Sequence, residues 1–367
     1  MTSLAREWGQ QYDALEPWGL SANFRAQFEA LAEGRIHPAS DQALPPTPGR
    51  VVLELRGELT VLTADGERVA RIPGRLRHRA ADPEALPTIG DWVVLEAREG
   101  DGYDRVECIL ERTSRIVRKT PGEKTEQQLV AANIDTVFIV MGLDGDFNLR
   151  RLERFLLTIL DSGAAPVILL SKSDLSDEVA RRVASAEEVA AGAPVHAISN
   201  LTGDGLRALD PYLQPARTLA LMGSSGVGKS SLVNALSGDE VMATGAVRAT
   251  DDRGKHTTSH RQLVHLPSRA LLIDNPGIRE IQLWVSEESI AQTFPRIDSL
   301  TQQCRFADCA HDREPGCALR EALDAGTIDP QRLNSYLNLK RELAELEERQ
   351  AQRRRAPRRR GRRRRRR

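Results

Sequence analysis

The chain has 367 residues, 52 Lys and Arg against 52 Asp and Glu, and four cysteines. That length holds two or three domains, each able to bury a core. No run of about 18 apolar residues, no basic start leading into an apolar stretch, and too few cysteines for a disulfide framework argue against a membrane span, a secretory signal and an oxidising compartment.

Residues 1–49 read as an N-terminal extension, helix-prone in "SANFRAQFEALAEG" and closing in the Pro-rich linker "ALPPTPG". Over 50–118 the pattern becomes short alternating segments with turn signals between them. "RVVLELRGELTVLT", "RVARIPGRLRHR", "IGDWVVLEA" and "RVECILER" give roughly five strands, the size of a small β-barrel of the OB type. Cys108 falls on one of these strands and reads as a core residue.

Residues 119–282 are expected to be α/β. "DTVFIVMG", "APVILLS", "APVHAIS", "RTLALMG" and "SRALLIDNPG" are short apolar runs, and "NLRRLERFLLTILDSG" is an amphipathic helix stopped by Gly163. Apolar strands alternating with helices imply a parallel, doubly wound sheet. Residues 283–350 read as mostly helical around a cysteine cluster. The tail, 351–367, includes "RRRAPRRRGRRRRRR", with 12 arginines and no acid; without it 40 basic residues face 52 acidic ones. Such a run does not pack, and it reads as a disordered arm for nucleic-acid phosphates, against the alternative of a solubilising tail.

The strand "RTLALMG" leads into Gly223, Ser224, Ser225, Gly226, Val227, Gly228, Lys229, Ser230 and Ser231, and a helix follows. This is a phosphate-binding P-loop in its required context. Its backbone N–H groups converge on phosphate oxygens, Lys229 bridges the β- and γ-phosphates, and the Ser230 hydroxyl ligates Mg²⁺. Asp274 ends the strand "LLID" and is a candidate for the Mg²⁺ side, with Gly277 offering an N–H to the γ-phosphate. Between them "RGKHTTSH" offers Thr257 or Thr258 for the Mg²⁺ shell; Thr257 is the candidate carried forward.

A guanine-reading box needs Lys-x-Asp after a strand. The chain has six lysines, and only Lys172 is followed two residues later by Asp, in Ser171, Lys172, Ser173, Asp174. A second base-side loop begins at Ser199 in "SNLTGDGL". The base box therefore precedes the P-loop, which makes a GTPase of this order circularly permuted; a doubly wound sheet tolerates this where termini lie close together.

Cys304, Cys309, His311 and Cys317 span 14 residues and suit one tetrahedral structural Zn²⁺ with no open position, in a reducing cytoplasm. The cluster starts 27 residues after Gly277, so movement at the nucleotide is expected to reach it.

With "FNLRRLERFL", "SGVGKSSLVNAL", "RGKHTT" and "DNPG" in this order, residues 50–340 resemble the RsgA (YjeQ) family of circularly permuted, ribosome-associated GTPases. The resemblance implies an OB barrel, a permuted GTPase core and a zinc domain. It also implies GTP hydrolysis stimulated by the small ribosomal subunit and its rRNA in late subunit maturation, in a cytoplasmic monomer. Four departures stand out, one being the base-side loop "SNLTGDGL" from Ser199, where the usual pattern has Ser-Ala. Ser171 replaces the family's usual Asn, whose amide braces the loop; losing such a contact costs about 1–3 kcal/mol. Asn275 stands in the usual Thr position. Ile278 follows Gly277 where many GTPases carry a water-orienting Gln, which implies slow intrinsic turnover and leaves His256 as candidate catalytic replacement or as an RNA contact. The competing expectations are a hydrolysis-weak, nucleotide-switched RNA-binding protein and a P-loop NTPase of relaxed base choice.

Overall fold

The computed structural model describes residues 3–34, 46–55, 57–79, 85–97, 102–119, 127–238, 261–274, 286–312 and 314–355. The chain forms two compact units, Met1–Trp284 and Val285–Arg367.

In the first unit, α1 (Ser3–Leu15) and α2 (Ala22–Gly34) precede strands β1 (Thr47–Leu55), β2 (Glu58–Thr63), β3 (Gly66–Arg71), β4 (Trp92–Glu96) and β5 (Asp104–Ile109). These five close in the order β1-β2-β3-β5-β4-β1, with β3 and β5 parallel and the other pairs antiparallel. The segment "RVARIPGRLRHR" is only half strand: after Pro73 it turns into α3 (Gly74–Arg79). Period-2 alternation sorts β4 between two cores. Val93 and Leu95 join Val51, Leu59, Val61 and Val106, while Trp92 and Val94 join the helices.

The N-terminal residues thus belong to the barrel's packing. Trp8, Tyr12 and Leu15 on α1 and Phe24 and Phe28 on α2 recur at helical spacing, and all are buried with Leu20, Trp92 and Leu110. Phe28 meets both Trp8 and Trp92 edge-on, at 5.9 and 6.2 Å between centroids.

β6 (Arg115–Lys119) and β7 (Gln127–Ala132) form an antiparallel pair. The remaining strands are β8 (Thr136–Gly142), β9 (Ala165–Ser171), β10 (Val195–Ala197), β11 (Thr218–Met222), β12 (Arg261–His265) and β13 (Leu271–Asp274). Their order is β10-β9-β8-β11-β13-β12, parallel except for β12. β12 then pairs antiparallel with β1, at Leu53–Gln262 and Glu54–Arg261, so sheet and barrel share one ladder. Helices α4 (Leu149–Ser162) and α5 (Val179–Val189) connect β8 to β9 and β9 to β10, and α6 (Lys229–Ser237) follows β11. β8 and β9 read as unbroken apolar runs because helices cover them: Val137, Ile139, Ile168 and Leu170 pack with Leu152, Leu156 and Ala186.

The second unit holds α7 (Glu287–Thr293), α8 (Pro295–Thr301), α9 (Ala318–Asp324) and α10 (Pro330–Arg355). Its core includes Phe294, whose ring meets Tyr336 at 5.7 Å. Among the described residues no helix is long and apolar enough to cross a membrane. The arginines from 356 onward lie outside the described residues.

Arg50 on β1 is fully buried and joins three parts of the first unit. It donates to the carbonyls of Trp18, of Gly90 (3.3 Å) and of Asn133 (3.2 Å), and to the Thr218 hydroxyl (2.9 Å). Burial lowers its pKa to about 10, against the opposing pull of Asp135 and Asp91, so it stays charged at neutral pH. Arg50→Met keeps the bulk and strands those acceptors. The expected loss is at least about 3 kcal/mol in a denaturant titration, with Arg50→Lys recovering only part.

Candidate nucleotide site and metal centre

Parallel strands deliver their C-terminal ends to one edge, where a doubly wound sheet builds its ligand crevice. Ser171 ends β9, Ser199 follows β10, Gly223 follows β11, and Asp274 ends β13. With β8 alone separating β9 from β11, the base box and the P-loop become spatial neighbours although they lie far apart in sequence.

Gly223 has φ 150°, and a Cβ there would stand 2.2 Å from the Val140 carbonyl oxygen, so only glycine lets the loop leave the sheet at this point. α6 starts at Lys229 after Gly228 in the left-handed region, and no side chain caps it. The first N–H groups of a helix have no partner within the helix itself, which makes such a terminus a suitable place for an anion. The buried Lys229 ammonium lies over the loop, 2.7 Å from the Gly223 carbonyl and bonded also to that of Ser224.

The two base-side loops are joined. Ser199 is fully buried; its hydroxyl donates to Asp174 Oδ1 at 2.5 Å and accepts from the N–H groups of Leu201 and Thr202. The carboxylate retains acceptor capacity on both oxygens, which suits the two adjacent donors of a guanine edge. Lys172 takes the left-handed conformation at φ 60°, an uncommon one for a residue with a side chain. Its ammonium is 2.6 Å from Asp144 Oδ2, and this hydrogen bond holds the Asp144 carboxyl below its ordinary range.

Ser171 is fully buried, and its hydroxyl donates to the Val227 carbonyl of the P-loop at 2.6 Å. The loop-bracing bond that an amide would make at this position is therefore made by a hydroxyl. Asp144, Asn200 and Glu314 are contributors that residue spacing did not single out. Asp144 is visible only once β8 is placed beside β9, and Asn200 only once its loop is seen against the P-loop.

His256, Thr257, Gly277 and Ile278 lie outside the described residues, and of Asp274 only the strand position is described. The structure thus brings together Ser171 through Asp174, Ser199 and the P-loop.

In the second unit the ligand atoms of Cys304, Cys309, His311 and Cys317 all lie within 4.8 Å of one another. His311 Nδ1 is 3.6 Å from both Cys304 Sγ and Cys317 Sγ. A tetrahedral ion with Zn–S bonds of about 2.3 Å and a Zn–N bond of about 2.0 Å needs edges of roughly this length. His311 is held in the left-handed region at φ 62°, with the N–H groups on either side of it, from Ala310 and Asp312, both donating to Glu314. Burial, with the Cys317 and Cys304 thiols beside it, pushes the Cys309 thiol up to about 11, so a bound divalent cation would be what favours its thiolate. The donor set fits a soft, tetrahedral metal.

Two outcomes are expected. Ser171→Ala leaves the Val227 carbonyl unpartnered and should weaken GTP binding about 5- to 20-fold in a nucleotide titration. The purified chain should carry one metal ion by elemental analysis, and Cys317→Ser should lose it together with the thermal transition of the second unit.

The comparisons with known proteins agree with this geometry. The profile of the RsgA GTPase family matches residues 109–284. The small ribosomal subunit biogenesis GTPase RsgA of Opitutus terrae is 46% identical over 306 residues, covering 81% of this chain and 83% of its own. The protein of the same name from Syntrophotalea carbinolica is 42% identical over 334 residues, covering 89% and 88%. The crystal structure of YjeQ from Thermotoga maritima superposes with a TM-score of 0.60 at 25% identity, over 82% of this chain and 99% of that one. Permuted motif order, a five-stranded barrel ahead of the core and a Cys3His cluster after it converge with these matches: the chain belongs to the RsgA GTPase family.

Proposed function

We propose that this protein hydrolyses GTP to GDP and phosphate on the small ribosomal subunit, as a cytoplasmic factor in late subunit maturation. The observation that carries the reading is the joining of base box and P-loop at one sheet edge, with the Ser171 hydroxyl tying them at 2.6 Å. It favours guanine selectivity over relaxed base choice, because the brace on which the base box depends is present.

Asp174, held by Ser199, accepts from the guanine edge, and the Lys172 stem covers the ring while Asp144 anchors its ammonium. The open N–H groups at the start of α6 and the Lys229 ammonium neutralise the phosphates. Mg²⁺ arriving with the nucleotide supplies charge neutralisation between the β- and γ-phosphates, and Ser230, Thr257 and Asp274 would hold it. Gly277 donates an N–H toward the γ-phosphate, and His256 orients the attacking water once the subunit is bound. Ile278 cannot do so, being apolar, which makes turnover on the free protein slow.

Zn²⁺ is the cation proposed for Cys304, Cys309, His311 and Cys317, in a structural role. The barrel, the second unit and the arginine tail are the rRNA-binding surfaces, the tail through phosphate neutralisation. The protein is taken as a monomer when free.

Multiple-turnover hydrolysis of GTP, ATP and XTP, with and without purified small subunits, tests this. GTP turnover should rise at least tenfold with subunits, and Lys229→Ala should abolish it. A GTP rate unmoved by subunits would overturn the proposal.

A further inference from the structure

Two successive carbonyls of the phosphate loop are gripped by side chains from the two base-side loops. Ser171 holds that of Val227, and Asn200 Nδ2 donates to that of Gly228 at 3.1 Å. Within a trans peptide unit, the C=O and the following N–H point in opposite directions. A bond that draws the Gly228 carbonyl toward Asn200 therefore turns the Lys229 N–H the other way, toward the open end of α6. That N–H belongs to the first helical residue of α6.

Asn200 is an awkward residue for stability alone. Its Oδ1 is buried and has no hydrogen-bond partner among the described residues, whereas most buried polar atoms are paired. Among the described residues, the only hydrogen bond its side chain makes goes to the phosphate loop. The rest of its own loop is organised without it: Ser199 caps the turn through Leu201 and Thr202, and the Ser199 N–H donates to the Asp204 carbonyl.

We infer that Asn200 is a positioning residue for the nucleotide's phosphates, acting from the base-side loop by fixing the peptide that presents the Lys229 N–H. The inference rests on the reading of this edge as a nucleotide site. It makes affinity for the β-phosphate depend on a residue outside the P-loop, and it gives Asn200 no part in choosing the base, which stays with Asp174.

The test uses the full chain and its Asn200→Ala and Asn200→Asp variants, with GDP, GMP, IDP and ADP affinities from competition against a fluorescent nucleotide. Asn200→Ala should weaken GDP about 5- to 20-fold, the value of one well-placed hydrogen bond, while GMP, which lacks the β-phosphate, changes less than twofold. The GDP/IDP ratio should not move, because it reports the exocyclic amine. Asn200→Asp, which sets a carboxylate against the Gly228 carbonyl, should weaken GDP further. The melting temperature without nucleotide should hold or rise in Asn200→Ala, since an orphaned acceptor leaves with the amide. Equal losses for GDP and GMP would make Asn200 a structural part of the base loop and overturn the inference, as would an unchanged GDP affinity. A falling GDP/IDP ratio would assign it to base reading and overturn it too. Selectivity of the unmodified chain for GDP over ADP tests the site reading separately, and the GDP-to-GMP comparison reads the brace whatever that selectivity proves to be.

Discussion

A positive charge with no access to water has to be surrounded by acceptors, and the first unit is arranged around one. The Arg50 guanidinium draws on Trp18 from the N-terminal helices, Gly90 from the barrel, and Asn133 and Thr218 from the parallel-sheet part. Each acceptor fixes one segment against the others, because moving any of them away would leave a buried donor unpaired. A second buried charge reinforces the junction. Asp91 accepts from Nε and Nη2 of Arg112, at 2.7 and 2.8 Å, and from the N–H of Thr88, yet burial still pushes its carboxyl above the ordinary range. Such a pair adds little net stability and mainly penalises other arrangements of the same segments.

This junction explains how barrel and sheet become one ladder. β1 pairs with β2 along one edge, while its other edge is taken by β4 over Thr47–Arg50 and by β12 at Leu53 and Glu54, so it serves barrel and sheet at once. Asn133, in the left-handed region that asparagine tolerates, directs its amide to Gly90 and its carbonyl to Arg50. The chain then enters β8, the strand that lies between the base box and the P-loop. The placement of the nucleotide loops is thus set from the barrel side, through backbone pairing and buried polar contacts.

Much of this was legible in the residues. Unbroken apolar runs announced the parallel strands, and their period could not be mistaken for that of the barrel's alternating segments. The single Lys-x-Asp upstream of the P-loop fixed the permuted order, and the Cys-and-His spacing fixed the metal cluster. What the residues did not announce depends on contacts between distant segments. The helices at 3–34 looked like an appendage, yet Trp8, Phe24 and Phe28 complete the barrel's core with Trp92. "RVARIPGRLRHR" alternated well enough to suggest strand throughout, but Pro73 lacks the N–H that a ladder requires. Ser171 looked like a lost amide, because a sequence cannot reveal that a hydroxyl at that depth reaches the Val227 carbonyl.

Some of the unfavourable local features lie where ligands are expected. Lys172 carries a side chain at φ 60°, His311 does so at φ 62°, and Asn200 buries an acceptor without a partner. A conformation of this kind persists only where its surroundings over-determine it. For Lys172 the surroundings are Asp144 and the Ile198 carbonyl that accepts from Ser173; for His311 they are the paired N–H bonds to Glu314. These bonds hold each residue in its uncommon conformation. The side chains that brace the base-side loops also hold two successive carbonyls of the phosphate loop, Ser171 that of Val227 and Asn200 that of Gly228, so neither loop can shift without leaving a buried polar group of the other unpaired.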